Sequence, residues 1–163
     1  ADGGSVTNAS GRQVTILSAG NDSGISFTVV GTDVNGSALS ETVTGANAGT
    51  ATSSGYFKTI SSITAVGNPA GNVSAGINNN ALGVIFAGRC RLRGFSYVSG
   101  GSAGTANIRN TSATGTELVQ FRSIGTDSSF EDVTIADEGI VFGAGCYVTF
   151  VVGTMDLMMF QHS

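Results

Sequence analysis

Short runs in which apolar and polar residues alternate recur along the whole chain. The clearest run has Ile25, Phe27 and Val29 alternating with Ser26 and Thr28. Successive side chains of a strand point to opposite faces of the sheet, so this alternation predicts a half-buried strand. Because no segment of helical length repeats at a period of about 3.6 residues, we expect little or no helix and an all-β chain.

A second alternating run follows the first and contains Leu39 and Val43. The dipeptide Asn35-Gly36 lies between the two runs, and Asn-Gly in this position is the strongest short-range signal of a β-hairpin. We therefore predict that the two runs pair as antiparallel strands. Asp33 and Val34 belong either to the first strand or to the loop.

Further strand candidates continue to the end of the chain, and most are separated by clusters of Gly, Asn, Asp or Ser. They cover residues 13–17, 57–66, 82–86, 90–98, 105–109, 117–122, 132–135, 146–152 and 155–160. Short strands separated by turn residues are typical of sandwiches and barrels. We predict an antiparallel β-sandwich, jelly-roll-like in character.

Turn-forming and uncharged polar residues dominate the composition. The 163 residues include 25 glycines and one proline, and only 11% of the residues are charged. Glycine reaches positive φ without steric cost, so this density indicates many turns. Recurring β-branched and aromatic residues argue against disorder, and a chain of this length can form a core without disulfides or a metal.

The charge balance bears on possible partners. Seven basic residues stand against eleven acidic ones, for a net charge of −4. Nucleic-acid binding depends on Lys and Arg that neutralise phosphates, so we expect no nucleic-acid partner. No apolar run reaches about 18 residues, and we expect no membrane span. The first residues also show no secretory signal.

A boundary between two β modules is predicted near three consecutive asparagines, Asn78, Asn79 and Asn80. Asparagine favours turns, and the chain before this point has a single arginine, Arg12, whereas the chain after it has most of the arginines. The pattern predicts modules at residues 1–78 and 79–163, or two lobes of one sandwich.

The two cysteines, Cys90 and Cys146, each lie in an apolar strand-like run. Two cysteines are too few for a disulfide framework. We interpret them as buried thiols that pack as small hydrophobic groups. The alternative is a single bridge between neighbouring strands.

Catalytic patterns are missing from the sequence. The only histidine, His162, lies next to the last residue given, where we expect it to be poorly held. No nucleophile elbow, zinc-binding helix or phosphate-binding loop occurs, so we predict no enzymatic activity, no cofactor and no metal.

Five carboxylates fall within a dozen residues. They are Asp127, Glu131, Asp132, Asp137 and Glu138. Paired carboxylates can hydrolyse glycosides or bind calcium, but the chain has no Trp for a sugar platform and no EF-hand spacing. We interpret them as solvated turn residues, with a calcium site or a catalytic pair as the alternatives.

Arg89, Arg91 and Arg93 are spaced two residues apart, which places them on one face of a strand with Cys90 and Leu92 opposite. They form either a solvated face or an interface stripe that pairs with carboxylates of a partner chain, a role suited to the planar guanidinium. Tyr97, with Phe95, continues the same parity. It is therefore predicted to extend this candidate interface.

The last strand candidate is apolar on both faces apart from Asp156. Its apolar residues are Met155, Leu157, Met158, Met159 and Phe160. Such a run indicates either a central strand or an edge strand covered by another subunit, because a bare apolar edge aggregates. We include these five residues in the candidate interface.

Two sequence patterns together cover most of the chain. The first contains Val-Thr-Ile-Leu-Ser-Ala-Gly-Asn-Asp-Ser-Gly at 14–24 and continues through 27–33, 41–45 and 48–50. The second contains Gly-Phe at 94–95, Ser-Gly-Gly-Ser-Ala-Gly-Thr at 99–105, Gly-Thr-Glu-Leu at 115–118 and Glu-Gly-Ile-Val-Phe at 138–142. Both resemble modules of virion proteins of tailed bacteriophages, especially marine and cyanobacterial ones. These are fold and turn patterns without catalytic signatures.

The resemblance implies a capsid decoration (cement) protein that binds the outer head shell and bridges neighbouring subunits. It implies the major capsid protein as partner, a location on the virion surface after synthesis in the host cytoplasm, and no active site. Cyclic self-association, with a trimer favoured, suits a symmetric lattice and covers apolar edges. The alternatives are a tail, fibre or head–tail adaptor component and a host-glycan-binding module.

Overall fold

The computed structural model describes residues 5–125 and 130–163, apart from the side chains of Asp156, Leu157 and Met159. Within these residues every regular element is a strand and no helix occurs, so the all-β prediction is confirmed. The strands form antiparallel sheets of nine and four members, consistent with the predicted β-sandwich.

The strands in chain order are β1 (Val6–Ser18), β2 (Ser26–Thr32), β3 (Ala38–Thr44), β4 (Thr50–Thr52), β5 (Phe57–Val66), β6 (Val73–Phe86), β7 (Cys90–Ser99), β8 (Ala103–Asn110), β9 (Glu117–Ile124), β10 (Phe130–Thr134), β11 (Ile140–Phe142), β12 (Cys146–Val151) and β13 (Met155–His162). The chain divides into two compact units, Ala1–Asn79 and Asn80–Ser163. Strand β6 contributes residues to both units.

The first unit has the strand order β3-β2-β5-β1-β6, and β4 also pairs with β1. The alternation in β2 places Phe27 and Val29 in its core, at 3% and 0% exposure. The other buried members of this core are Val14, Ile16, Val43, Phe57 and Ile60. The alternation with a period of two residues therefore determines which side chains of this unit face the core.

The predicted hairpin is confirmed. Strands β2 and β3 pair antiparallel from Ser26 opposite Thr44 to Thr32 opposite Ala38. The loop between them spans residues 33–37, so Asp33 and Val34 belong to it. The Asp33 carboxylate closes the loop by accepting hydrogen bonds from the backbone N–H groups of residues 35 and 37, both at 2.9 Å, and Gly36 adopts a φ of 83°.

The three asparagines at 78–80 form no turn, so that interpretation is wrong. They lie inside β6, which ends only at Phe86. The Arg12 guanidinium donates two hydrogen bonds to the Asn78 carbonyl oxygen, and the Asn78 amide donates to Gln13 Oε1 at 3.0 Å. Ladder pairing together with these side-chain bonds overrides the local preference of asparagine for turns.

Asp22 is a fully buried carboxylate in the first unit. Its Oδ1 accepts a hydrogen bond from the backbone N–H of Ala70 at 2.7 Å, and its own backbone N–H donates to the Ala46 carbonyl at 3.0 Å. The side chain therefore joins the turn after β1 to the segment before β6.

We expect Asp22→Ala to lower the free energy of unfolding by about 1–3 kcal/mol, because the substitution leaves the Ala70 N–H without a hydrogen-bond acceptor. Asp22→Asn keeps an acceptor at Oδ1 and serves as the matched control, with a smaller loss. Denaturant unfolding of both variants measures the difference. Equal losses would show that the hydrogen bond to Ala70 contributes little.

The second unit is a two-layer sandwich. One layer has the order β6-β12-β8-β9, and the other places β7 between β13 on one side and β10 with β11 on the other. Both layers contribute to one core, whose buried residues are Cys90, Leu92, Phe95, Tyr97, Ala106, Ile108, Phe142, Cys146, Val148 and Met155. The core of this unit therefore lies between the two sheets.

Candidate interaction surface

A β-bulge in β7 changes which of its side chains face the core. On β13, Gln161 lies opposite Gly94 and the next residue, His162, lies opposite Leu92. Arg93 is thus an extra residue without a partner on β13. An extra residue reverses the alternation of the strand beyond it, so the residues on the two sides of the bulge follow opposite parities.

The prediction that Tyr97 and Phe95 share a face with the arginines is therefore wrong. They are 8% and 4% exposed, and both lie in the same core as Leu92. The Phe95 ring stacks on Phe121 with centroids 4.3 Å apart. The Tyr97 hydroxyl donates to the Arg122 carbonyl at 3.0 Å, and burial, with a smaller contribution from the nearby Glu131 charge, raises its pKa.

The three arginines occupy different environments. Arg89 is exposed in the bend before β7, and Arg93 is exposed at the bulge. Arg91 forms an ion pair with Glu138 of the same chain, with Nη1 and Oε2 3.1 Å apart. Among the described residues neither Arg89 nor Arg93 forms an ion pair. Arg91 is therefore already paired within the chain, and the pairing of the other two with a partner chain stays a prediction.

The C-terminal strand β13 pairs only with β7 in the part of the chain that is described, which makes it an edge strand rather than a central one. Met155 is 5% exposed and belongs to the core, while Met158 and Phe160 are partly buried against it. These three side chains therefore contribute to core packing. Leu157 and Met159 were also predicted interface residues, and their side chains lie outside the described part.

The four-stranded sheet has a second face, directed away from the core. Side chains directly opposite each other on antiparallel strands share a face. Phe130 of β10 lies opposite Val98, and Val141 of β11 lies opposite Arg91. Phe130 is 60% exposed and Val141 is 40% exposed. We call Arg91, Val98, Phe130 and Val141, together with the adjacent exposed Arg93, the outer face.

Sequence reasoning missed Phe130 and Val141. Phe130 lies on a strand of five residues and Val141 on a strand of three, and acidic or glycine residues adjoin both. Strands this short do not show a clear periodic pattern. Exposed apolar side chains that share a face with guanidinium groups are typical of protein interaction surfaces. The outer face is therefore the candidate interaction surface of the second unit.

The acidic segment does not assemble into a binding site in the described residues. Asp127 lies outside them. Asp132 accepts a hydrogen bond from Ser96 Oγ at 2.8 Å, Glu138 pairs with Arg91, and Asp137 occupies a turn with a φ of 59°. No group of three potential metal ligands occurs in the described part of the chain, so the calcium alternative gains no support there.

The histidine near the end is better held than predicted. His162 is part of β13, and its ring lies 5.1 Å from that of Phe86 between centroids. Ser163 exchanges two backbone hydrogen bonds with Arg91, at 2.9 and 3.1 Å. Strand pairing with β7 therefore orders this segment, contrary to the expectation drawn from its position in the sequence.

The two cysteines are buried and unbridged. Cys90 and Cys146 are 3% and 0% exposed and belong to the core of the second unit. Burial, together with the neighbouring Cys90, raises the pKa of Cys146 to about 12. The interpretation of both residues as buried thiols is confirmed.

Two neighbouring cavities in the first unit share Ile63 and Ala75. Their volumes are about 350 and 580 Å³. The linings are mostly apolar, with hydroxyl groups from Ser62 and Thr64 and no ionisable side chain. These cavities offer hydrophobic contact and no acid–base chemistry of their own.

Comparison of the chain with protein-family models, with curated proteins and with solved structures finds no match. Among the residues that are described, no helix has the length and apolar character needed to cross a bilayer.

Proposed function

We propose that the chain is a capsid decoration protein of a tailed bacteriophage, which binds the outer head shell and bridges neighbouring subunits of the major capsid protein. The sequence resemblance suggests this role. The outer face is the observation that supports it best, since it combines exposed Phe130 and Val141 with Arg91 and Arg93 on one sheet. Aromatic residues and arginine are both enriched in protein-binding surfaces.

The low charge of the chain also fits this role. Only 11% of its residues are charged, so a crowded array of copies on a shell experiences little mutual repulsion. A lattice presents many identical sites, and an oligomer that binds several at once gains strength even when each contact is weak. Self-association as a trimer is part of this proposal, because it matches the local symmetry of a shell.

Copy number and position in intact particles test the function. We expect many copies over the whole head, measured by quantitative mass spectrometry and located by cryo-electron microscopy of particles that carry the chain. Particles without it should lose their genome at a lower temperature. A few copies confined to the tail vertex would contradict the proposal and favour the tail or adaptor alternative. Binding to a glycan array without binding to heads would favour the glycan-binding alternative.

The outer face makes a separate prediction about where the contact lies. We expect Phe130→Ala to weaken co-sedimentation with undecorated heads by about tenfold or more, because buried aromatic anchors dominate binding energies. Ile124→Ala is the matched control, since Ile124 is 69% exposed but lies on β9 in the other sheet. We expect it to bind normally. If Ile124→Ala loses binding and Phe130→Ala does not, the contact lies on the other sheet.

A further inference from the structure

Strand β5 of the first unit lacks a neighbouring strand along part of one side. On one side it pairs with β2 from Thr59 to Val66, and on the other it pairs with β1 only as far as Ile60. In the part of the chain that the structure describes, no strand pairs with the β1 side of β5 beyond Ile60. We call residues 62–66 of β5 the open edge. Backbone N–H and C=O groups that point to this side have no ladder hydrogen bonds.

The open edge lacks the features that usually protect an exposed strand from pairing with other chains. Its sequence is Ser-Ile-Thr-Ala-Val, which combines three β-branched residues with no charge and no proline. Its register with β2 is regular, because the bulge of β5 comes before it, between Ile60 and Ser62. By comparison, strand β10 carries Glu131 and Asp132. A regular and uncharged edge of this kind pairs readily with an added strand.

The two apolar cavities of the first unit lie beside the open edge, and Ile63 and Ala75 line both of them. Along β5, the cavity of about 350 Å³ extends back to Ile60 and the cavity of about 580 Å³ extends forward to Ala65. Ile63 and Ala65 both pack against the core of the unit, so they lie on the same face of β5. Residues two apart on a strand share a face and are about 7 Å apart. Two successive cavities on one face therefore fit alternate side chains of an added strand.

We propose that the open edge binds an extended segment of a partner protein by strand addition, and that uncharged apolar side chains at alternate positions of this segment enter the two cavities. The segment becomes a further strand beside β5, on the side opposite β2. This inference concerns the first unit and does not rest on the proposed capsid function.

The combination of an unpaired edge with apolar cavities favours a polypeptide over a small hydrocarbon. The larger cavity is also lined by Ile16 and Phe27, which are 0% and 3% exposed, so a group that enters it contacts the core. A hydrocarbon would make this contact but would leave the backbone groups of the open edge without partners. An added strand satisfies both, because its main-chain hydrogen bonds give affinity and the pockets for alternate side chains give specificity.

The lining of the cavities determines which side chains the partner segment carries. Among the described residues, no ionisable side chain lines either cavity. A Lys or Glu side chain would lose its hydration there without gaining an ion pair, which is costly. Val or Leu side chains gain from the burial of apolar area instead. The partner segment is therefore an extended one with Val, Leu or similar residues at every second position.

The test uses the full chain and a fluorescent peptide, Thr-Val-Thr-Val-Thr-Val-Thr, with blocked ends. We expect anisotropy to show binding, and a peptide with Lys in place of Val to bind about tenfold more weakly or worse. N-methylation tests the geometry, because only every second N–H of an added strand points to its neighbour. Methylation of one set, Thr or Val, should weaken binding by about tenfold or more, and methylation of the other set by less than about threefold. No binding at millimolar peptide, or equal losses from both methylation patterns, would overturn the proposal.

Variants of β6 test the location. Ala75→Leu adds bulk where the two cavities meet, so we expect it to weaken binding of the Thr-Val peptide by about tenfold or more. Ala75 is exposed, and the melting temperature should therefore stay within about 2 °C. Ser74→Leu is the matched control, since Ser74 is exposed and lines neither cavity, and it should bind normally. Bound peptide should also slow hydrogen exchange of backbone amides in the open edge. Equal binding by the two variants, or protection confined to other strands, would contradict the assigned site.

Discussion

Replacing Phe142 by alanine is expected to lower the free energy of unfolding of the second unit by about 3–5 kcal/mol. Phe142 is completely buried and lies opposite Cys90 on β7, in the core between the two sheets. Removing its ring leaves a cavity that neighbouring strands fill only in part, because their positions are held by ladder hydrogen bonds.

Chemical denaturation of the full chain measures this loss. If the two units unfold in separate transitions, the transition of the second unit is the one compared. Phe130→Ala is the matched control, since the same side chain is removed from a position that is 60% exposed. We expect it to cost less than about 1 kcal/mol. A similar loss in both variants would show that Phe142 is not a principal part of the core.

Replacing Gly31 by alanine is expected to destabilise the first unit by about 3 kcal/mol or more, or to prevent its folding. A Cβ at this position would lie 1.9 Å from the Thr59 carbonyl oxygen and 2.8 Å from its carbon. The close approach has a structural cause. Val30 lies opposite Ser62 and Gly31 opposite Ile60, so β5 carries one extra residue at this point.

Gly24→Ala is the control for this substitution, because an added Cβ at Gly24 meets no atom within 4 Å and its φ is not in the left-handed region. We expect a change of less than about 1 kcal/mol for Gly24→Ala. Thermal and denaturant unfolding of the two variants provides the comparison. If Gly31→Ala is as stable as Gly24→Ala, the backbone around the bulge can shift, and the close contact with Thr59 is not a constraint.

Much of the fold could be predicted because the informative patterns are local. The alternation of Phe27 and Val29 with polar neighbours, and Asn35-Gly36 after them, predicted a hairpin that the structure contains. The prediction of strand 57–66 coincides with β5. Strands of three residues, such as Thr50–Thr52, were missed because they are too short to show a period.

The candidate site could be predicted only in part. Arg91 and Arg93 were identified from their spacing, but Val141 lies opposite Arg91, and Phe130 opposite Val98 on the same sheet, only because β11 and β10 pair with β7. Met158 and Phe160 were identified as apolar, yet the sequence could not distinguish packing on the chain's own core from packing on a partner. Whether the outer face binds a capsid stays a prediction.

The local sequence pattern alone was enough to predict an all-β chain with glycine-rich turns, since each of these features depends on residues close together along the backbone. Tertiary structure decided the rest: the bulge at Arg93 that turns Tyr97 into the core, and the burial of Cys90 and Cys146, from different sheets, in one core. Both depend on the register between distant strands. A shift of one residue in that register exchanges the buried and exposed faces, and no local pattern in β7 specifies where the shift occurs.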